Sequence, residues 1–218
     1  MPIDVPGSSV GLADIERAVA ILRGGGLVAY PTDTVYGLAA LATDDRAVAR
    51  LFEAKKRALD RAVPLLIASP ADVALVVDEV PEIARRLMRA FWPGALTIVF
   101  RTAADFRSAA VDRTVALRVP DHPTPRQLAK LLGAPITGTS ANVSGGPDPL
   151  TADDVRSQLG DAVDLIIDGG RCAGPDGPPS GGGRPSTVVD CTTEPPRLLR
   201  EGVVSREELT RVAEGSIA

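Results

Sequence analysis

Residues 24–38, GGGLVAYPTDTVYGL, decide how the rest of the chain is read. Three glycines close a preceding amphipathic segment, and Leu27-Val28-Ala29-Tyr30 has the apolar character of a short buried strand. Pro31 ends that strand, since proline has no N–H to give a ladder. Thr32, Asp33 and Thr34 then put two hydroxyls and a carboxylate at the end of a core strand, where open α/β sheets hold their ligands. The same residue types also form Asx and Ser/Thr turns that serve only their own backbone, so this stretch alone leaves both readings open.

Toward the N-terminus, residues 1–11 read as loose, and Asp14 is placed to cap a helix from Ile15 to about Arg23 with Ile15, Val19 and Leu22 on one face. Toward the C-terminus, Ala39 to Ala42 form a second strand. Thr43 or Asp44 then opens a helix that turns Val48, Leu51 and Phe52 inward and ends in Lys55-Lys56-Arg57. Positive charge at a helix C-terminus complements the macrodipole, so the plain reading of this cluster is a solvated helix end. Leu65-Leu66-Ile67 is a short strand, 72–77 and 81–91 carry helical patterns, and Leu96 to Phe100 and Thr114 to Pro120 are strands of high β propensity. Arg118, near the carboxyl end of an apolar strand, calls for an anionic partner.

A helix from about Pro125 to Leu132 precedes the strand Pro135-Ile136-Thr137, which opens into the second polar cluster, Gly138 to Gly146. Its small residues and hydroxyls let backbone approach an anion, although Thr139 at the P-loop lysine position excludes a Walker A motif. Next come a helix capped by Thr151, a strand ending at Ile167, and a Pro/Gly-rich loop, 171–185, with the length and composition of a lid. Strands at 186–190 and 197–200 follow, and a capping box at Ser205 opens the last helix. The alternation runs without a linker. It predicts an α+β fold with three α/β/α layers, a single domain over 1–218 with no separate C-terminal domain, and a twisted mixed parallel/antiparallel sheet of about seven strands.

The chain has 218 residues, 44% hydrophobic and 24% charged, with a net charge of −4. It is no polycation, so any nucleic-acid contact must use a local patch such as Arg46, Arg50, Lys55, Lys56, Arg57 and Arg61. Cys172 and Cys191 lie far apart and His122 is the sole histidine, which argues against a zinc cluster and against Ser/His or Cys/His nucleophilic catalysis. His122, flanked by Asp121 and Pro123, reads as a loop cap or a solvent contact in preference to a catalytic base. No apolar run reaches the length that spans a bilayer, so the expectation is a cytoplasmic protein with no membrane partner. What recurs at strand and helix ends is hydroxyl, amide, Lys and Arg: Thr34, Lys55, Arg57, Thr114, Arg118, Ser140, Asn142, Ser186 and Arg200. That inventory suits nucleotide phosphates plus a carboxylate, with catalysis by positioning and charge neutralisation.

Taken together and in order, PTDTVYGLAA, the Lys55-x-Arg57 pair followed by Pro64-Leu65, WPGALT at 92–97, TVALRVP at 114–120, TSAN at 139–142, PSTVVD at 185–190 and RLLREG at 197–202 resemble the YrdC family of L-threonylcarbamoyladenylate synthases. The resemblance covers roughly residues 12–210. It implies a nucleotidyltransferase that makes threonylcarbamoyl-AMP and pyrophosphate from L-threonine, bicarbonate and ATP, for threonylcarbamoyladenosine in tRNA. It also implies an L-threonine site at Thr34, Arg118, Gly138 and Ser186 and an ATP site at Lys55, Arg57, Thr114, Ser140, Asn142, Asp148 and Arg200. Lys55, Arg57, Ser140 and Asn142 carry catalysis in this mapping. Mg²⁺ is expected with ATP, held by phosphate oxygens and water rather than by a protein cage. Threonylcarbamoyl-transferring machinery is the expected partner, with weak contact to tRNA or double-stranded RNA. Ala58, Val63 and Ala68 depart from the family pattern, where Pro, Asn and His are common. The competing reading is a diverged paralogue of the same fold that binds nucleotide or RNA without making the adenylate.

Overall fold

The computed structural model of the chain describes residues 3–5, 10–57, 62–172, 185–215 and 217–218. Among them the strands are β1 (Ile3–Val5), β2 (Val28–Tyr30), β3 (Gly37–Ala39), β4 (Leu65–Leu66), β5 (Leu96–Arg101), β6 (Thr114–Arg118), β7 (Ile136–Thr137), β8 (Thr139–Ser140), β9 (Leu165–Ile167), β10 (Thr187–Asp190) and β11 (Arg197–Arg200). The helices are α1 (Leu12–Arg23), α2 (Asp45–Ala54), α3 (Glu82–Phe91), α4 (Pro123–Leu132), α5 (Ala152–Leu159) and α6 (Arg206–Ala213).

The mixed α+β class holds, but the strands sort into two sheets rather than one of about seven strands. The first has the order β1-β9-β2-β3-β8 and the second β11-β10-β5-β6-β4-β7. In the first, β9 runs parallel to β1 and β2, while β2-β3 and β3-β8 are antiparallel. In the second, β10 is parallel to β5 and β4 to β6, and the other pairs are antiparallel. An isolated bridge between Leu41 and Ile136 joins the sheets, and the chain itself passes from one to the other at Gly138, between β7 and β8. Only glycine suits that crossing. A Cβ there would lie 2.8 Å from the Leu66 side chain, while the Gly138 N–H donates to the Pro64 carbonyl at 2.7 Å.

Strand alternation builds the layers. Val28, Tyr30, Leu165 and Ile167 face one way and pack with Ile15, Ala18, Val19 and Leu22 of α1 and Leu128 of α4. Leu27, Ala29, Leu38 and Ile166 face the other way, into a larger core that takes Val48, Leu51 and Phe52 of α2, Leu87 of α3, Val155 of α5 and Leu209 of α6. Several local expectations change. The second strand, expected over Ala39 to Ala42, is β3 at Gly37–Ala39, with Leu41 in an isolated bridge. The helix expected to start at Ile15 opens at Leu12, because Asp14 accepts the Gly11 N–H at 3.0 Å from inside the first turn. Segment 72–77 is a 3₁₀ turn at Pro70–Leu75 rather than an α-helix. Ile3–Val5, read as loose, adds a parallel strand to β9, and Thr139–Ser140, read as a turn, pairs with β3. Other signals stand where they were read: Asp44 caps α2, Thr151 caps α5, Ser205 caps α6, and His122 caps α4 by accepting the Thr124 N–H at Nδ1.

Candidate active site

Where the two sheets meet, a cleft of about 380 Å³ opens, within the size range of small-molecule sites. One wall is the turn after β2. Thr32 organises it as a Ser/Thr turn, its Oγ1 accepting the Thr34 N–H at 3.0 Å and giving its own proton to the Val35 carbonyl at 2.6 Å. The turn is held to the 138–149 segment by Ala141 N–H to the Tyr36 carbonyl at 2.8 Å and Tyr36 N–H to the Pro149 carbonyl at 2.9 Å. Thr32 and Thr34 line the cleft.

The second wall comes from β5, β6 and β10. Arg118 is 9% exposed and has the anionic partner its position called for: it pairs with Asp33 at 2.5 Å, and its Nε donates to the Gly94 carbonyl at 2.9 Å. Nε being engaged, Arg118 can offer a ligand carboxylate only the outer end of its guanidinium. Thr97 and Ser186 stand beside it with their hydroxyls 2.9 Å apart. Arg200 donates twice to the Ser186 carbonyl, at 3.1 and 2.8 Å, and once to Ser186 Oγ at 3.2 Å. Burial, reinforced by the nearby Arg118, lowers the Arg200 pKa. Behind this wall a Cβ on Gly202 would fall 2.0 Å from the Pro185 carbonyl oxygen, so β11 can brace Ser186 this closely only with glycine there.

The third side carries Arg57, Ser140 and Asp148. Its foundation is Lys55, which is not a solvated helix end: it is 2% exposed, and its ammonium donates to the Ser140 carbonyl, to the Asn142 carbonyl at 2.7 Å and to Asn142 Oδ1 at 3.2 Å. Those bonds use all three ammonium donors. Asn142 ties the same loop, accepting from Ser140 Oγ at 2.6 Å and donating to the Gly146 carbonyl at 2.8 Å. The inward turn of Lys55 follows from the reversal at the end of α2, where Lys56 takes a left-handed φ of 50° and stays exposed. Burial first, then Arg57, lowers the Lys55 pKa to about 8, with Asp148 opposing. Arg57 lies over the Phe52 ring at 5.8 Å and donates to the Ala62 carbonyl at 3.2 Å.

All four residues assigned to the amino acid, Thr34, Arg118, Gly138 and Ser186, therefore line one cleft, and so do Arg57, Ser140, Asp148 and Arg200 of the nucleotide set. Lys55 and Asn142 lie beneath the surface and shape it. Thr114 is elsewhere: it is exposed at the start of β6, paired with Arg101, at the opposite end of the strand from Arg118. The loop 171–185 falls mostly on residues 173–184, outside the described part. Of the basic surface patch, Arg50 is tied to Asp164 at 3.0 Å, Lys55 is buried, and Arg61 lies outside the described residues. Sequence reading missed Thr97, although a threonine amid Leu96, Ile98, Val99 and Phe100 is the one polar interruption of an apolar strand. The thiols take no part: both are buried, and burial pushes Cys172 up to about 11 and Cys191 up to about 12. No helix among the described residues is long and apolar enough to cross a membrane.

This geometry has relatives. The Sua5/YciO/YrdC family model, described as telomere recombination, matches residues 20–202. A Mycobacterium tuberculosis protein is 44% identical over 91% of this chain and 88% of its own length. The Bacillus subtilis protein named threonylcarbamoyl-AMP synthase is 40% identical over 91% of this chain, which spans only 56% of that relative. The crystal structure of Pyrococcus abyssi Sua5 complexed with L-threonine superposes with a TM-score of 0.86 at 38% identity, covering 97% of this chain and 60% of the archaeal one. The chain belongs to the Sua5/YciO/YrdC family.

Proposed function

We propose that the chain is an L-threonylcarbamoyladenylate synthase, converting L-threonine, bicarbonate and ATP to threonylcarbamoyl-AMP, pyrophosphate and water. The observation that carries this reading is the convergence on one cleft of Arg118, Thr34 and Ser186 with Arg57, Arg200, Ser140 and Asp148. The first three suit an amino acid, and the rest suit a polyphosphate. The likeness to a Sua5 that holds L-threonine supports the first assignment.

The chemistry needs no protein nucleophile. The threonine amine adds to the bicarbonate carbon with loss of water, and a carbamate oxygen then attacks the α-phosphorus of ATP, expelling pyrophosphate. The protein's part is to hold the carboxylate on Arg118, to bring the carbamate and the α-phosphate together, and to balance the charge that builds on the phosphates with Arg57 and Arg200. Ser140, held by Lys55 and Asn142, presents its loop to the same region. Mg²⁺ belongs with the triphosphate. Among the described residues no group of three His, Cys, Asp or Glu could hold a resident ion, and Asp148 is the carboxylate lining the cleft, so the donors suit an ion bound mainly through phosphate and water. When bound, it neutralises the phosphates and eases departure of pyrophosphate.

The product's natural acceptor is a transferase that modifies tRNA in the cytoplasm, and this chain would supply it. Direct RNA binding is not favoured, with Arg50 and Lys55 already engaged. An omission assay tests the function. Pyrophosphate release must require threonine, bicarbonate and ATP together; release that ignores threonine or bicarbonate would leave a nucleotide-binding paralogue as the better reading.

A further inference from the structure

The hydroxyls that line the cleft have directions that the surrounding hydrogen bonds decide. Thr97 is 1% exposed, and its Oγ1 has one partner among the described residues, Ser186 Oγ at 2.9 Å. If Ser186 gave the proton in that contact, the Thr97 proton would be buried with no acceptor, which costs more than the alternative. Thr97 is thus the donor. Ser186 Oγ also accepts from Arg200 at 3.2 Å, so both of its lone pairs are occupied and its own proton is left over for the cleft. Across the cleft, Thr32 gives its proton to the Val35 carbonyl at 2.6 Å and accepts the Thr34 and Val35 N–H groups at 3.0 and 3.2 Å, so its lone pairs are taken and the Thr34 hydroxyl, 3.1 Å away, keeps its own lone pairs for the cleft.

Resting on the assignment of this cleft to an amino acid, we propose that Thr97 is a positioning residue that sets Ser186 as a hydrogen-bond donor, and that the cleft thereby fixes the substrate's polarity. An oxygen acceptor of the amino acid meets the wall of Ser186 and Arg118, both of which offer protons. Its donor groups, the ammonium or the hydroxyl proton, turn toward Thr34. An amine at the Ser186 wall would confront donors only, so amino acids bind in one orientation.

Calorimetric titration with L-threonine of wild type, Thr97→Val, Thr97→Ser, Ser186→Ala and the Thr97→Val/Ser186→Ala double variant tests this. Thr97→Val is expected to weaken threonine binding about tenfold, the worth of one misdirected hydrogen bond. Thr97→Ser keeps the donor and should restore wild-type affinity. In the Ser186→Ala background Thr97→Val should add nothing, and ATP affinity should stay constant throughout. Equal weakening by Thr97→Val with and without Ser186, or a parallel loss of ATP affinity, overturns the proposal by making Thr97 a general support of the strand. Wild type that binds ATP but not threonine overturns the amino-acid assignment itself, and the proposal with it.

Discussion

The two ends of the cleft are built differently. At the end proposed for the amino acid each functional group is held by a close neighbour: Arg118 by Asp33 and Gly94, Ser186 by Thr97 and Arg200, Thr34 by Thr32. At the end proposed for the nucleotide, Lys55 is withdrawn beneath the surface and spent on the loop, while Arg57 lines the cleft. The amino-acid end is pre-organised for a small ligand of defined shape. The end proposed for the nucleotide presents Arg57, placed over Phe52 and bonded to the Ala62 carbonyl, to a phosphate chain whose charge must be balanced as pyrophosphate departs.

If that contrast is right, Arg57→Ala gives the largest effect. Turnover should fall about a thousandfold, as for loss of a group that balances transition-state charge, while the thermal midpoint changes far less than the rate because the side chain is half-exposed. An unchanged ATP affinity by calorimetry in that variant would return Arg57 to the role of a surface cation. Arg118→Lys should raise the KM for threonine about thirtyfold and leave that for ATP alone, since lysine keeps the charge but cannot serve Asp33, Gly94 and a carboxylate at once. Equal rises in the two KM values would place Arg118 in support of the fold or the nucleotide.

The Lys55 clamp sharpens the comparison by pH. Its three bonds need the ammonium, whose folded pKa is lowered to about 8, below the ordinary lysine value. The clamp is complete below that pH and gives up one of its three donors as pH rises through it, so ATP affinity should decline above about 8 while threonine affinity holds. Lys55→Met should abolish this pH dependence of ATP binding, and should destabilise the fold by about 2 kcal/mol or more by leaving buried acceptors unpaired. The last effect concerns the substrate's methyl: serine should be used at least about tenfold less well than threonine, because one methyl group supports a discrimination of about 1–3 kcal/mol. Competition kinetics between the two amino acids would measure it.

Much of this arrangement was legible in the sequence where a local signal carries its own physics. Caps at Asp44, Thr151 and Ser205, the strand closed by Pro31, and an arginine stranded in an apolar strand each predict a feature that short-range chemistry enforces. What was not legible depends on distant partners. β7 and β8 have two residues each, too few for a periodicity, and the crossing between the two sheets at Gly138, packed on Leu66, joins residues far apart in sequence. The Lys55-Lys56-Arg57 run is the same in sequence whether its first residue points to water or inward; the reversal at Lys56 and the carbonyls of Ser140 and Asn142 decide that. Thr114 shares a strand with Arg118, yet the site lies at one end only. Thr97 looked like a β-branched core residue, and its hydroxyl acquires meaning only because β10 runs parallel beside it.

The central claim, that one cleft joins an amino acid, bicarbonate and ATP, is tested most directly with ¹³C-labelled bicarbonate and mass spectrometry of the nucleotide products. The account predicts an adenylate that contains threonine and the heavy carbon, formed in equal amount with pyrophosphate and absent when threonine is left out. Pyrophosphate accompanied by an adenylate without the labelled carbon would contradict it.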